Sequence, residues 1–168
     1  MKIASRIEPV VVVGLVVLLG ILTYMRNTMW QDEFTIWQDA SVKSPHKVRP
    51  HNNLGNAMRD DRRMPELAIV EYKKAIALAP EEIPPRHNLV VAYLMLGRLT
   101  DAERELKEAL LIEPDSHILH GNLGYVYIKQ GRLKEAEREF IEALRIKPDY
   151  RMARDNLEWI RWMTGATP

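Results

Sequence analysis

Two kinds of hydrophobic pattern divide the chain. From Pro9 to Met25 it reads PVVVVGLVVLLGILTYM, seventeen residues without a charge. The β-branched run leaves no polar side to present to water, which argues against a helix of a soluble core. At about 1.5 Å per residue such a helix covers roughly 25 Å, slightly less than a hydrocarbon core of about 30 Å. Flanking residues extend it: Arg26 snorkels toward head groups, and Tyr24 and Trp30 suit the interface, which predicts a single transmembrane helix over 9–29. A signal peptide is the rival, since Lys2 and Arg6 precede the stretch. The apolar run is long, however, and ILTYMRNTMW offers no small-x-small cleavage site. Lys2 and Arg6 against Arg26 alone place residues 1–8 in the cytoplasm and the rest on the extracytoplasmic side of an inner membrane, as a single-pass protein.

After residue 30 the apolar positions follow a helical period, and the period itself repeats. Gly97–Asp115, GRLTDAERELKEALLIEPD, matches Gly131–Asp149, GRLKEAEREFIEALRIKPD, at 13 of 19 positions, a displacement of 34 residues. The same register aligns Leu89, Leu123 and Leu157, then Ala68, Ala102 and Ala136, then Pro80, Pro114 and Pro148. Each unit predicts a helix such as Ile118–Lys129, a turn at Gly131, and a second helix from Leu133 to Ile146 that Pro148 stops. Small residues at Gly124, Ala136 and Ala143 admit close helix crossings, and Leu123, Tyr127, Phe140 and Leu144 fill the space around them.

The order L-G-x-x-Y, G, A, F or Y, A, P over 34 residues resembles the tetratricopeptide (TPR) repeat. The resemblance implies an all-α solenoid of helical hairpins, a right-handed superhelix, with repeats at 48–82, 83–116 and 117–150. A degenerate half-repeat at 30–47 precedes them, with a helix over Gln31–Lys43, and a capping helix and tail at 151–168 follow, as a stacked array needs a solvated end. Three departures are visible. Arg62 stands where glycine is usual, Val90 replaces the small glycine and should spread its helices, and the turn MRDDRRMPE carries one extra residue and is expected to protrude. The string from Arg26 to Ala40, with Pro45, Arg49 and Asn52–Gly55, is also similar to the span-to-repeat junction of membrane O-mannosyltransferase-like proteins. That likeness implies extracytoplasmic repeats and carries no activity, because the catalytic multi-span portion has no counterpart.

Charge and chemistry narrow the function. Lys and Arg number 24 and Asp and Glu 23, a net charge of +1, so nucleic acid is a poor partner. There is no cysteine, so disulfides, thiolate metal sites and thiol nucleophiles are excluded. His117 and His120 lie three apart with His87 one repeat away, but a metal needs three or four converging ligands, and His120 takes a packing position. No nucleophile triad, phosphate loop or carboxylate pair is present, GNLG at Gly121–Gly124 being helix interior, so neither catalysis nor a cofactor is expected.

A binding face is the remaining expectation. Asn53, Asn88, Asn122 and Asn156 recur at one position of successive first helices, a position that faces the concave groove in the TPR family. Amides can donate to and accept from the backbone of an extended peptide. The ladder resembles that of the O-GlcNAc transferase repeat domain. Carrying over the family's groove positions adds Arg49, Asn52, Asn56 and Arg59, then Val91, Leu94 and Met95, then Tyr125 and Ile128, then Met152, Trp159 and Trp162. The face runs from polar and basic to apolar and aromatic, and exposed aromatics commonly mark binding surfaces. The expected function is a membrane-anchored scaffold that binds a segment of a membrane-associated protein partner, in envelope assembly or translocation. The alternatives are an accessory, substrate-presenting subunit of a membrane glycosyltransferase and a self-associating structural protein, a homo-oligomer.

Overall fold

A computed structural model describes residues 4–29 and 32–165, with side chains in the first helix described over 11–25. Among the described residues there are nine α-helices and no strand: α1 (Ala4–Met29), α2 (Glu33–Lys43), α3 (Val48–Asp60), α4 (Pro65–Leu78), α5 (Ile83–Met95), α6 (Leu99–Ile112), α7 (His117–Lys129), α8 (Leu133–Ile146) and α9 (Arg151–Thr164). From α2 onward each helix packs on the next, and α3 touches α5 as α7 touches α9. That is the contact pattern of stacked helical hairpins.

Local chemistry sets the turns. Gly97 and Gly131 have φ of +67° and +76°, the left-handed region that only glycine enters freely. Their amides donate to Leu94 and Ile128, and the next amides, of Arg98 and Arg132, reach back to Tyr93 and Tyr127, both at 2.9 Å. This pairing satisfies carbonyls that a helix end leaves open. Arg98 and Arg132 also lie over the rings of Tyr93 and Tyr127, at 4.7 and 4.3 Å, within cation–π range.

The first hairpin closes differently. Its left-handed residue is Arg63, φ 53°, not Arg62, because the extra residue moves the glycine position one place along. Met64 accordingly reaches back to Met58 at 2.8 Å, one residue further than in the other turns. The turn is exposed from Asp60 to Met64, yet it is not free. Arg62 donates to Asp32 at 2.8 Å and lies 4.9 Å over the Phe34 ring, so the turn is tied to α2.

The core is one continuous layer, and it contains two solutions to the same crossing. A Cβ at Gly55 would stand 2.5 Å from the Tyr72 ring and one at Gly124 would stand 2.8 Å from Phe140. In the middle repeat Val90 faces a smaller partner, since Leu106 takes the register of those rings. Val90 and Leu106 are 2% and 0% exposed. That exchange of volume acts against the spreading anticipated at Val90.

No helix among the described residues is long and apolar enough to cross a membrane, so they do not reproduce the span expected over 9–29. The side chains described in α1 are those of residues 11–25. All of them are exposed, Val11 by 52% and Tyr24 by 71%. Lys2 and Trp30, and the side chains of Arg6 and Arg26, lie outside the described residues.

Candidate functional site

The first helices α3, α5, α7 and α9 carry every residue assigned to the binding face. At its α2 end the amides do not form an open row. Asn88 donates to Asn52 at 2.9 Å and accepts from Arg59 at 3.4 Å, Asn52 donates to Asn53 at 3.2 Å, and Tyr72 donates to Asn56 at 2.9 Å. Asn52, Asn53, Arg59 and Asn88 are therefore brought together as one network, and Asn56 is held separately by Tyr72, so part of their capacity is already used. Asn122 is half-buried, and no hydrogen bond of its side chain occurs among the described residues. Asn156 donates to the Met152 carbonyl of its own helix at 2.8 Å.

Charge concentrates at the same end. Arg59 lies against Asp60 at 2.7 Å, and the hydrogen bond holds the Asp60 carboxyl below its usual range while raising the guanidinium. Burial pushes the neighbouring His87 imidazole down, and the positive charge of Arg59 adds to the effect. Arg49 is exposed, 5.6 Å over the Trp37 ring. Toward α9 the face becomes apolar. Val91, Leu94, Ile128 and Met152 are half-buried, whereas Met95 is 55%, Tyr125 38%, Trp159 40% and Trp162 77% exposed. Lys129 lies 5.2 Å over the Tyr125 ring.

Between the two ends, α5 and α7 enclose an open cavity of about 450 Å³ whose wall includes Asn88, His87 and Ile118. Asn88 belongs to the expected ladder. His87 and Ile118 do not, although His87 holds the register of Asn52, and Ile118 that of Arg49 and Met152, which were assigned to the face.

The histidines have another role. His51 Nδ1 meets Glu71 at 2.7 Å while its Nε2 meets the Pro45 carbonyl at 3.0 Å. His120 repeats this with Glu139 at 2.7 Å and Pro114 at 2.9 Å. Arg86 does the same in the middle repeat, reaching Glu105 at 3.1 Å and the Pro80 carbonyl at 3.3 Å. Each repeat is thus stitched from first helix to second helix and back to the preceding stop. The pattern was readable as His, Arg, His at 51, 86 and 120 with Glu at 71, 105 and 139. His117 instead meets the Tyr150 ring edge-on at 4.9 Å. Among the described residues no group of three or more potential ligands converges on a metal position.

Comparison with known proteins agrees with this architecture. Two profiles of the tetratricopeptide repeat match residues 61–120 and 117–150. A human relative, protein O-mannosyl-transferase TMTC3, is 27% identical over 81 residues, 48% of this chain, and the match spans 9% of that protein's length. Among solved structures, MamA superposes with a TM-score of 0.72 at 21% identity, covering 79% of this chain and 77% of that one. The TPR domain of Arabidopsis OM64 gives 0.62 at 24%, covering 68% and 94%. The first TPR of Spaghetti (RPAP3), bound to the HSP90 peptide SRMEEVD, gives 0.66 at 20%, covering 71% and 94%.

Proposed function

The chain belongs to the tetratricopeptide-repeat proteins, and we propose that it is an interaction scaffold whose first-helix face holds a segment of a partner protein. Repeats of this kind are typically non-catalytic interaction modules. The observation that carries the reading is the uneven face: an amide and arginine network beside α2, and Trp159 and Trp162 exposed by 40% and 77% on α9. Large aromatic side chains left in water cost free energy that a partner recovers. The peptide held by the RPAP3 repeat domain supports the same use of the fold.

The proposal extends to a tether. α1 would hold the repeats at the extracytoplasmic face of an inner membrane, where confinement raises the effective concentration of a membrane-bound partner. Support comes from the charge-free stretch Pro9–Met25 and the exposure of each described side chain from Val11 to Met25. Envelope assembly or translocation would use such a part. A second reading, an accessory subunit that presents acceptor protein to a glycosyltransferase, draws on the TMTC3 match. It expects glycosylation to fall when the chain is deleted.

The test places a photo-crosslinking residue at Tyr125 in cells. Trp159→Ala with Trp162→Ala should abolish the crosslinked product while leaving the far-ultraviolet circular dichroism unchanged. An undiminished product overturns the reading. Alkaline carbonate extraction and protease treatment of spheroplasts test the tether separately. Release of the chain, or protection of the repeats, refutes its placement.

A further inference from the structure

The slots between successive first helices are closed in different ways. Between α3 and α5, the Asn52–Asn88 and Arg59–Asn88 bonds cross the gap. Between α7 and α9 the chain fills the gap itself. Tyr150 and Met152 enter over Gly121, where a Cβ would stand 2.7 Å from the tyrosine ring and 2.9 Å from the methionine methyl group. The slot between α5 and α7 has neither device. In the 34-residue register its counterparts of Tyr150 and Met152 are Ser116 and Ile118, both shorter, and the cavity of about 450 Å³ lies there.

The chemistry of what remains selects an occupant. His87 takes the register of Gly121, so its imidazole stands where that glycine leaves space for the Tyr150 ring one repeat later, and it leaves less room for a second ring. The other walls are Ile83, Pro84, Ile118 and Leu119. The polar groups beside them are Asn88, Ser116 and an imidazole whose charged form burial and Arg59 disfavour. The Glu113 carboxylate stands at the exposed rim. An uncharged, non-aromatic side chain is what complements such a lining.

We propose that the cavity between α5 and α7 is the specificity pocket of the binding face and takes an aliphatic side chain, leucine or isoleucine in size, from an extended segment of the partner. This rests on the peptide-binding reading and adds to it the kind of sequence recognised. Asn122, one turn along α7 and without an internal bond among the described residues, is the amide free to meet the segment's backbone.

The plug is available from within. Ser116 and Tyr150 have similar backbone conformations, φ −92° and ψ 103° against φ −71° and ψ 92°, and the Ser116 side chain makes no cap hydrogen bond. Ser116→Leu should therefore send its own aliphatic group into the slot without loss of a cap. The experiment selects binders from a random peptide display library against the full chain in detergent. It then measures their affinity for Ser116→Leu, for Ile118→Asp, and for Trp159→Ala with Trp162→Ala. Binders are expected to share a leucine, isoleucine or valine at one position, and to weaken at least tenfold with both slot variants while helical content is unchanged. Binders that prefer an aromatic there, or that keep their affinity within twofold in both slot variants, overturn the pocket. If those binders still require Trp159 and Trp162, the face survives without the pocket. Binders indifferent to the tryptophans, or no binders at all, sink the peptide-binding reading itself.

Discussion

The middle repeat, α5 with α6, and the repeats on either side of it build the same hairpin from different parts. The outer repeats cross their helices by setting Gly55 and Gly124 against the Tyr72 and Phe140 rings, whereas the middle repeat uses Val90 and Leu106. The outer repeats stitch their helices with His51 and His120, and the middle one with Arg86. The middle repeat also holds two buried polar atoms without a partner among the described residues, Arg86 Nε and the Tyr93 hydroxyl. The difference teaches that a repeat's register conserves volume and pairing, not residue type. The crossing is exchanged on both of its sides, whereas the stitch changes only the residue on the first helix, with Glu71, Glu105 and Glu139 common to all three repeats.

Breaking the crossing pair should have the largest effect. Phe140 is fully buried and cannot swing away, so Gly124→Val, with atoms added where a Cβ alone would be 2.8 Å from the ring, should cost about 3 kcal/mol as overpacking. Adding Phe140→Leu recreates the middle repeat's combination and should return at least about 1 kcal/mol as a coupling energy. Urea unfolding followed by circular dichroism measures both, and strict additivity of the two substitutions would refute the paired-volume account.

The stitches come next. A guanidinium keeps its charge in a protein, while an imidazole can exist neutral. Glu105→Gln therefore leaves the 12% exposed Arg86 head without its carboxylate, at a cost of about 2 kcal/mol. Glu71→Gln should cost about 1 kcal/mol, because His51 can still bond a neutral amide. Equal losses in the same unfolding assay would show that the identity of the residue facing the glutamate does not matter.

The two central tyrosines should respond with opposite signs. Tyr72 donates to Asn56 at 2.9 Å, and Tyr72→Phe should destabilise the fold by about 1 kcal/mol. The Tyr93 hydroxyl is buried without a partner among the described residues, so Tyr93→Phe should be neutral or stabilise by up to about 1 kcal/mol. A loss at Tyr93 that matches the loss at Tyr72 would mean that the hydroxyl is satisfied after all.

What could be read from the sequence follows the same division between local and paired effects. Helix limits were legible, because Pro80, Pro114 and Pro148 stop helices by their own covalent geometry and Gly97 and Gly131 suit left-handed turns. The shift of that turn to Arg63 was not, because the extra residue can be absorbed at several places and only the closing bond from Met64 to Met58 decides which. The residues assigned to the binding face were legible as positions on the first helices, but their hydrogen-bonded state was not. Asn53 and Asn122 share a register, yet one accepts from Asn52 and the other has no side-chain bond among the described residues. The cavity was hidden for a related reason, since it arises from what Ser116 and Ile118 lack relative to Tyr150 and Met152, and an absence shows only once the slots are compared.

The turns give the finest test of the comparison. Arg63 holds φ 53°, which costs an L-residue with a Cβ about 1 kcal/mol, whereas Gly131 holds φ +76° with nothing within 4 Å of a Cβ. Conformation alone therefore separates the two sites. Arg63→Gly should stabilise the chain by about 0.5 kcal/mol, less than the full relief because glycine also frees the unfolded chain. Gly131→Ala should destabilise it by about 1 kcal/mol for the opposite reason. The exposed side chain of Arg63 forms no ion pair among the described residues, so its removal should not mask the gain. Thermal unfolding of the two single variants and their combination decides the matter: a melting temperature that falls with Arg63→Gly would show that the extra residue in the first turn is not held in a strained conformation.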